Sequence, residues 1–190
     1  DDGIAQTEKG VEGKTEGTGK ELSMEATKYT ISMLVEDKAG VLNRVASLFR
    51  RRNFNIQSLA VGGSEQPGLS RMTIVVLADP AQVEQVRKQL DKLINVVKVT
   101  DLTDDDMVAR ELALIKVAAT PSSRSEIIQI VDIFRANIVD VAAGSVTVEV
   151  TGDEDKVNSL FELLRGFGIK EIVRTGRIAL TRGGASSKKY

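Results

Sequence analysis

One order of hydrophobic patterns runs through this chain twice: strand, helix, strand, strand, helix, strand, in about 75 residues each time. Residues 29–35 alternate Tyr29, Ile31, Met33 and Val35 with Thr30, Ser32 and Leu34, the period-2 signature of a half-buried strand. Over 41–52, Val41, Leu42, Val45, Leu48 and Phe49 share one helical face, with Asn43, Arg44, Ser47, Arg50 and Arg51 opposite. Strands follow at 54–61 and 69–78, separated by a turn-rich loop at 62–68. Asp79 and Pro80 open a second helix as N-cap and first-turn proline, with Val83, Val86, Leu90 and Leu93 inward. A strand over 94–101 closes the unit.

After an acidic linker at 103–110 the order recurs. A strand is expected at 111–119, and Ser123 with Glu126 predicts a capping box for a helix burying Ile127, Ile130, Val131 and Phe134. Segments 137–143 and 145–151 read as a hairpin about Gly144. Asp153 begins a helix burying Val157, Leu160, Phe161 and Leu164, which stops at Gly166 and Gly168, and 169–177 is the last strand. The pattern predicts an α+β fold of two tandem ferredoxin-like (βαββαβ) domains, at 28–102 and 111–182. Two helices would cover one face of each four-stranded sheet. In the first domain the other face, carrying Thr30, Ser32, Leu34, Thr73, Val75 and Leu77, has no local cover. Small domains gain much of their stability by pairing, so a homodimer through that face or a sheet edge is expected.

Charge is unevenly spread although the total is −1: the net is −4 over 1–27, +4 over 28–102, −3 over 103–182 and +2 over 183–190. Segment 1–27 is rich in Gly, Thr, Glu and Lys without apolar periodicity and reads as a flexible tail, as does 183–190. The acidity of the first tail argues against an organellar transit peptide, so a bacterial cytoplasm is expected ahead of a plastid stroma. No apolar run reaches the roughly 18–20 residues that cross a bilayer, and no membrane association is expected.

The chain has neither Cys nor His, which removes thiolate chemistry, the commonest metal ligand, the commonest general base and any Ser-His-Asp triad. Asp104, Asp105 and Asp106 form an obvious acidic cluster, but three successive acids point in different directions, so no metal site is expected. Aromatic residues are only 4% of the chain and the strand at 69–78 has none, which leaves few stacking platforms for nucleobases; no nucleic-acid partner is expected. No spacing of Asp, Glu, Lys, Ser or Tyr singles out a catalytic pair, so a binding or regulatory protein is expected, with no catalytic residue of its own.

The most informative segment joins the first strand to the first helix: Glu36, Asp37, Lys38, Ala39, Gly40, Val41, Leu42. Helices normally begin with a capping Ser, Thr, Asp or Asn, whereas Ala39 and Gly40 leave the first N–H groups open and let another molecule approach the backbone. Free N–H groups at a helix start bind carboxylates, and Asp37 just upstream can receive an ammonium group. Together these match the two ends of an α-amino acid. Asn55, with donors and an acceptor, is placed to reach the same site from a neighbouring subunit. A tight turn that simply needs glycine and a solvated acid fits the same residues.

The segments 36–42, 48–59 (Leu-Phe-Arg-Arg-Arg-Asn-Phe-Asn-Ile-Gln-Ser-Leu), 69–73 and 89–96, with 110–112, 133–136 and Arg174-Thr175-Gly176, together resemble the small regulatory subunits of acetolactate (acetohydroxyacid) synthase. The likeness spans 28 to about 183, and the first domain resembles an ACT domain, an amino-acid-sensing module. The resemblance implies a partner: a catalytic subunit that uses thiamine diphosphate, magnesium and FAD, none of them held by this chain. It implies activation of that subunit and feedback inhibition, usually by valine, with leucine and isoleucine as further candidates. The implied effector site lies between two ACT domains, with Asp37, Lys38, Ala39, Gly40, Val41 and Leu42 on one and Asn55 and Ile56 on the other. Many bacterial members have Asn at the position of Asp37, where an acid favours the ammonium and repels the carboxylate. The turn alone fits an ACT-type sensor serving a different client enzyme equally well. The basic face of Arg44, Arg50, Arg51 and Arg52, or the loop at 62–68 acting as an arm, are the expected partner contacts.

Overall fold

A computed structural model describes residues 27–183, as nine strands and four helices. The first repeat is β1 (Thr27–Glu36), α1 (Val41–Arg51), β2 (Ile56–Gly63), β3 (Leu69–Ala78), α2 (Pro80–Leu90) and β4 (Val96–Asp101). Its strands form an antiparallel sheet in the order β2-β3-β1-β4. The second repeat is β5 (Met107–Ala118), α3 (Arg124–Ile133), β6 (Asn137–Ala142), β7 (Ser145–Gly152), α4 (Glu154–Arg165) and β8 (Ile169–Arg174), followed by β9 (Ile178–Thr181). Its sheet has the matching order β6-β7-β5-β8. The tails expected at 1–27 and 183–190 lie outside the described residues except for Thr27, which already pairs with Ala78 in β1, and Gly183.

Each core fills the space between a sheet and its two helices, as alternation in the strands and 3.6-residue periodicity in the helices require. Ile31, Met33 and Val35 of β1 and Met72, Ile74 and Val76 of β3 meet Val45, Leu48 and Phe49 of α1 and Val83, Val86 and Leu90 of α2. Phe54, expected in a strand, lies in the turn before β2 and packs edge-on against Phe49, the ring centroids 6.0 Å apart. The second core sets Ala113, Ile115 and Val117 of β5 and Val146, Val148 and Val150 of β7 against Ile127, Val131, Val157, Leu160 and Leu164. Ile130, Phe134 and Phe161 pack at its margin, half-buried.

Two helix starts differ in an instructive way. Asp79 and Gln82 form a reciprocal capping box at α2, Gln82 N–H donating to Asp79 Oδ1 at 2.8 Å. Ser123 makes no such bond at α3, correcting the box expected with Glu126. Its hydroxyl oxygen instead accepts the N–H of Thr120 at 3.0 Å, a nearer partner that the preceding turn supplies.

The acidic linker expected at 103–110 is shorter, because β5 already begins at Met107. Residues Met107 to Arg110 are drawn into strand geometry by pairing with β9, an extra strand that lies beyond the last one expected, at 169–177. The break falls at Gly176, whose φ of +86° turns the chain between β8 and β9. The β5–β9 ribbon then changes the expected fate of the first sheet. Thr30, Ser32, Leu34, Thr73 and Val75 on the face away from the helices are buried, leaving only Leu77 of that set exposed. Thr73, Ala60 and Val61 face Val108, Ile178 and Leu180 across a cleft. A face covered by the chain's own second half is not available for the face-to-face dimer; the unpaired outer edges of β2 and β4 remain. The loop expected at 62–68 is likewise shorter: β2 runs through Gly63, and Ser64 N–H donates to the Leu69 carbonyl at 3.0 Å, closing a hairpin turn.

Candidate functional site

The turn between β1 and α1 is held from both sides. Asp37 N–H donates to the carbonyl of Gly68, at the end of the β2–β3 hairpin, at 2.8 Å. Glu36 N–H donates to the carbonyl of Asn95, before β4, at 2.9 Å. Side chains reinforce this bracing: the Asn95 amide donates to the Glu36 carboxylate while Arg44 donates to the Asn95 amide oxygen, and Lys38 stands 3.2 Å from Glu36. The amide hydrogen bond from Asn95, and after it Lys38, hold the Glu36 carboxyl below the usual range. Gly68 and Asn95 are contributors that the sequence did not single out, since each acts across a long stretch of chain, and Arg44, read there as part of a basic partner face, bonds Asn95.

Gly40 is the N-cap of α1, with φ +85°, and no side chain caps this helix. The N–H groups of Ala39, Gly40, Leu42 and Asn43 find no acceptor among the described residues. A cluster of donors at the positive end of an 11-residue helix is matched to a carboxylate. Asp37 is exposed, and its side chain makes no hydrogen bond or ion pair among the described residues, so its charge is available to a cation. Leu42 is 46% exposed on the first turn of α1, an apolar surface beside these polar groups, while Val41 is buried as an anchor. The equivalent turn of the second repeat is closed by its own hydroxyls, Thr120 bonding both Ser122 and Ser123. The open turn therefore belongs to the first repeat alone.

Asp37, Lys38, Ala39, Gly40, Val41 and Leu42 thus lie together, but Asn55 and Ile56 do not join them within one chain. Ile56 is opposite Val76, and Val76 is opposite Tyr29, near the start of β1, whereas the turn follows Glu36 at its end. At strand rise the two groups are separated by roughly 23 Å along the sheet. Asn55 is exposed and Ile56 half-buried at the head of β2, an edge strand.

Among the described residues no group of His, Cys, Asp or Glu is disposed to hold a metal ion, and no helix is long and apolar enough to cross a membrane.

Comparison with known proteins places this geometry in a family. Residues 31–98 match the acetohydroxyacid synthase small subunit-like ACT domain, and residues 110–183 match the small subunit of acetolactate synthase. The chain is 54% identical over 160 residues to the acetolactate synthase small subunit of Mycobacterium bovis, covering 84% of this chain and 95% of that protein. It is 53% identical over 155 residues to the small subunit of Mycolicibacterium smegmatis, covering 82% and 91%. The crystal structure of the acetolactate synthase small subunit from Thermotoga maritima superposes with a TM-score of 0.76 at 46% identity, covering 83% of this chain and 98% of that one. With two ferredoxin-like repeats, the first an ACT domain, and this similarity along both, the chain belongs to the family of acetolactate synthase small subunits.

Proposed function

We propose that this chain is a non-catalytic regulatory subunit that activates the thiamine-diphosphate-dependent catalytic subunit of acetolactate synthase and makes it sensitive to feedback inhibition by valine. The observation that carries the effector part is the open turn: four N–H groups for the carboxylate and Asp37 for the ammonium, all unpaired among the described residues, with exposed Leu42 for the branched side chain. Asn55 and Ile56 complete the site from a second copy. A two-fold axis beside an edge strand brings opposite ends of two sheets together, so the start of one β2 meets the β1–α1 end of its partner. The separation within one chain supports this reading, because a shared site needs its halves at opposite ends. Effector binding then favours one arrangement of the pair, and inhibition follows if the catalytic subunit works best with another.

Titration of the purified chain with valine tests the binding step. At a hundredfold excess over the dissociation constant, a ligand specific for the folded state adds about 2.7 kcal/mol, which raises the thermal midpoint by roughly 5–10 °C in a chain of this size. The expected result is such a rise with valine, none with an acidic amino acid, and valine-dependent loss of activity after reconstitution with the catalytic subunit. A flat response in both assays contradicts the proposal.

A further inference from the structure

The turn joining β8 to β9 is wedged between the two repeats. Arg177 N–H donates to Ser58 Oγ of β2 at 2.7 Å, and its guanidinium donates to Thr30 Oγ1 of β1 at 3.0 Å and to Glu154 at the start of α4. Glu154 also receives Lys28 of β1 at 2.7 Å, so one carboxylate gathers two cations from opposite sides of the joint. Gly176 presses on the backbone of β2 so closely that a Cβ there would lie 2.9 Å from Ser58 Oγ and 3.0 Å from the Leu59 carbonyl oxygen. Lys28, Ser58, Leu59, Glu154, Gly176 and Arg177 line a cleft of about 270 Å³ whose other charged pair is Arg174 with Glu111, 3.4 Å apart. The side chain of Arg177 is only 17% exposed, unlike the solvated Arg165–Glu162 pair on α4, so breaking its contacts is not masked by water.

Ser58 stands two residues beyond Ile56, across a register shift in the β2–β3 pairing. The same strand thus carries half of the proposed effector site at its head and the grip of the second repeat just after it. We infer that Arg177, with Gly176 and Glu154, positions β2 so that effector binding at its head reaches the second domain, making this joint the coupling element of the regulatory response. The inference rests on the effector site proposed above. Arg177 and Gly176 are positioning residues, remote from the effector itself.

The test uses Arg177→Ala and the milder Ser58→Ala, each reconstituted with the catalytic subunit and also titrated alone with valine. Coupling predicts valine binding within about threefold of the unsubstituted chain in both variants, with maximal inhibition reduced by at least half. The milder variant guards against a simple folding defect in the other. Full inhibition at saturating valine in folded variants overturns the coupling role and leaves the joint as structural packing, whatever it does to stability. Failure of the unsubstituted chain to bind valine is a distinct result, overturning the effector reading and this inference with it.

Discussion

Gly40→Leu is expected to abolish the valine response while leaving a folded, activating subunit. The backbone at this position has φ +85°, where an L side chain costs roughly 1–2 kcal/mol, a tolerable loss for a domain with its own core. Space is no obstacle among the described residues, since a Cβ at Gly40 meets none of them within 4 Å. The damage therefore falls on whatever approaches the turn from outside. A leucine side chain there projects over the open N–H groups of the first turn of α1 and bars a carboxylate from them. The concentration of valine giving half-maximal inhibition of the reconstituted enzyme should rise at least tenfold, equivalent to about 1.4 kcal/mol of lost binding. Activation at zero valine should stay within about twofold. Loss of activation by a variant with an unchanged circular dichroism spectrum argues that the turn also contacts the catalytic subunit.

Gly176→Val is expected to do the opposite: to damage stability first. Its φ of +86° is nearly that of Gly40, so the conformational penalty is similar or larger for a β-branched residue. The surroundings differ. The new Cβ meets Ser58 Oγ at 2.9 Å and the Leu59 carbonyl oxygen at 3.0 Å, and a backbone oxygen cannot swing aside as the end of a long side chain can. Strain and overpacking together should cost about 2–4 kcal/mol, read as a lower thermal midpoint or a lower denaturant midpoint. An unchanged midpoint contradicts the placement of this turn against β2.

The contrast between these glycines shows what local sequence can and cannot reveal. Gly40 is legible because its neighbourhood is local: a strand ends, a helix begins, and no capping residue stands between them. The order of elements is legible for the same reason, as is the Asp79–Pro80 start of α2. Gly176 reads from the sequence as part of one strand, since nothing in residues 169–177 announces that Met107 to Arg110 will pair with Ile178 to Thr181 from about 70 positions away. That ribbon is only four residues long, too short for alternation to register, yet it buries the sheet face that looked free for a partner. The backbone bracing of the β1–α1 turn by Gly68 and Asn95 escaped for the same reason: both bonds run to backbone carbonyls, which carry no residue-type signal. At α3 the signal was present and misleading, because Thr120 satisfies Ser123 before Glu126 can.

The shared effector site is tested most directly by mixing two defective chains. Gly40→Leu damages the turn, and Asn55→Ala removes the amide that the proposed site takes from the other copy. In dimers formed at random from equal amounts, half are mixed, and each mixed dimer has one site built from an intact turn and an intact Asn55. Roughly a quarter of all sites are then restored. Co-purified mixed dimers, reconstituted with the catalytic subunit, should regain measurable valine inhibition that neither variant shows alone. If the mixture stays as unresponsive as its components, the turn and Asn55 do not complete one another across two copies, and the shared site is wrong.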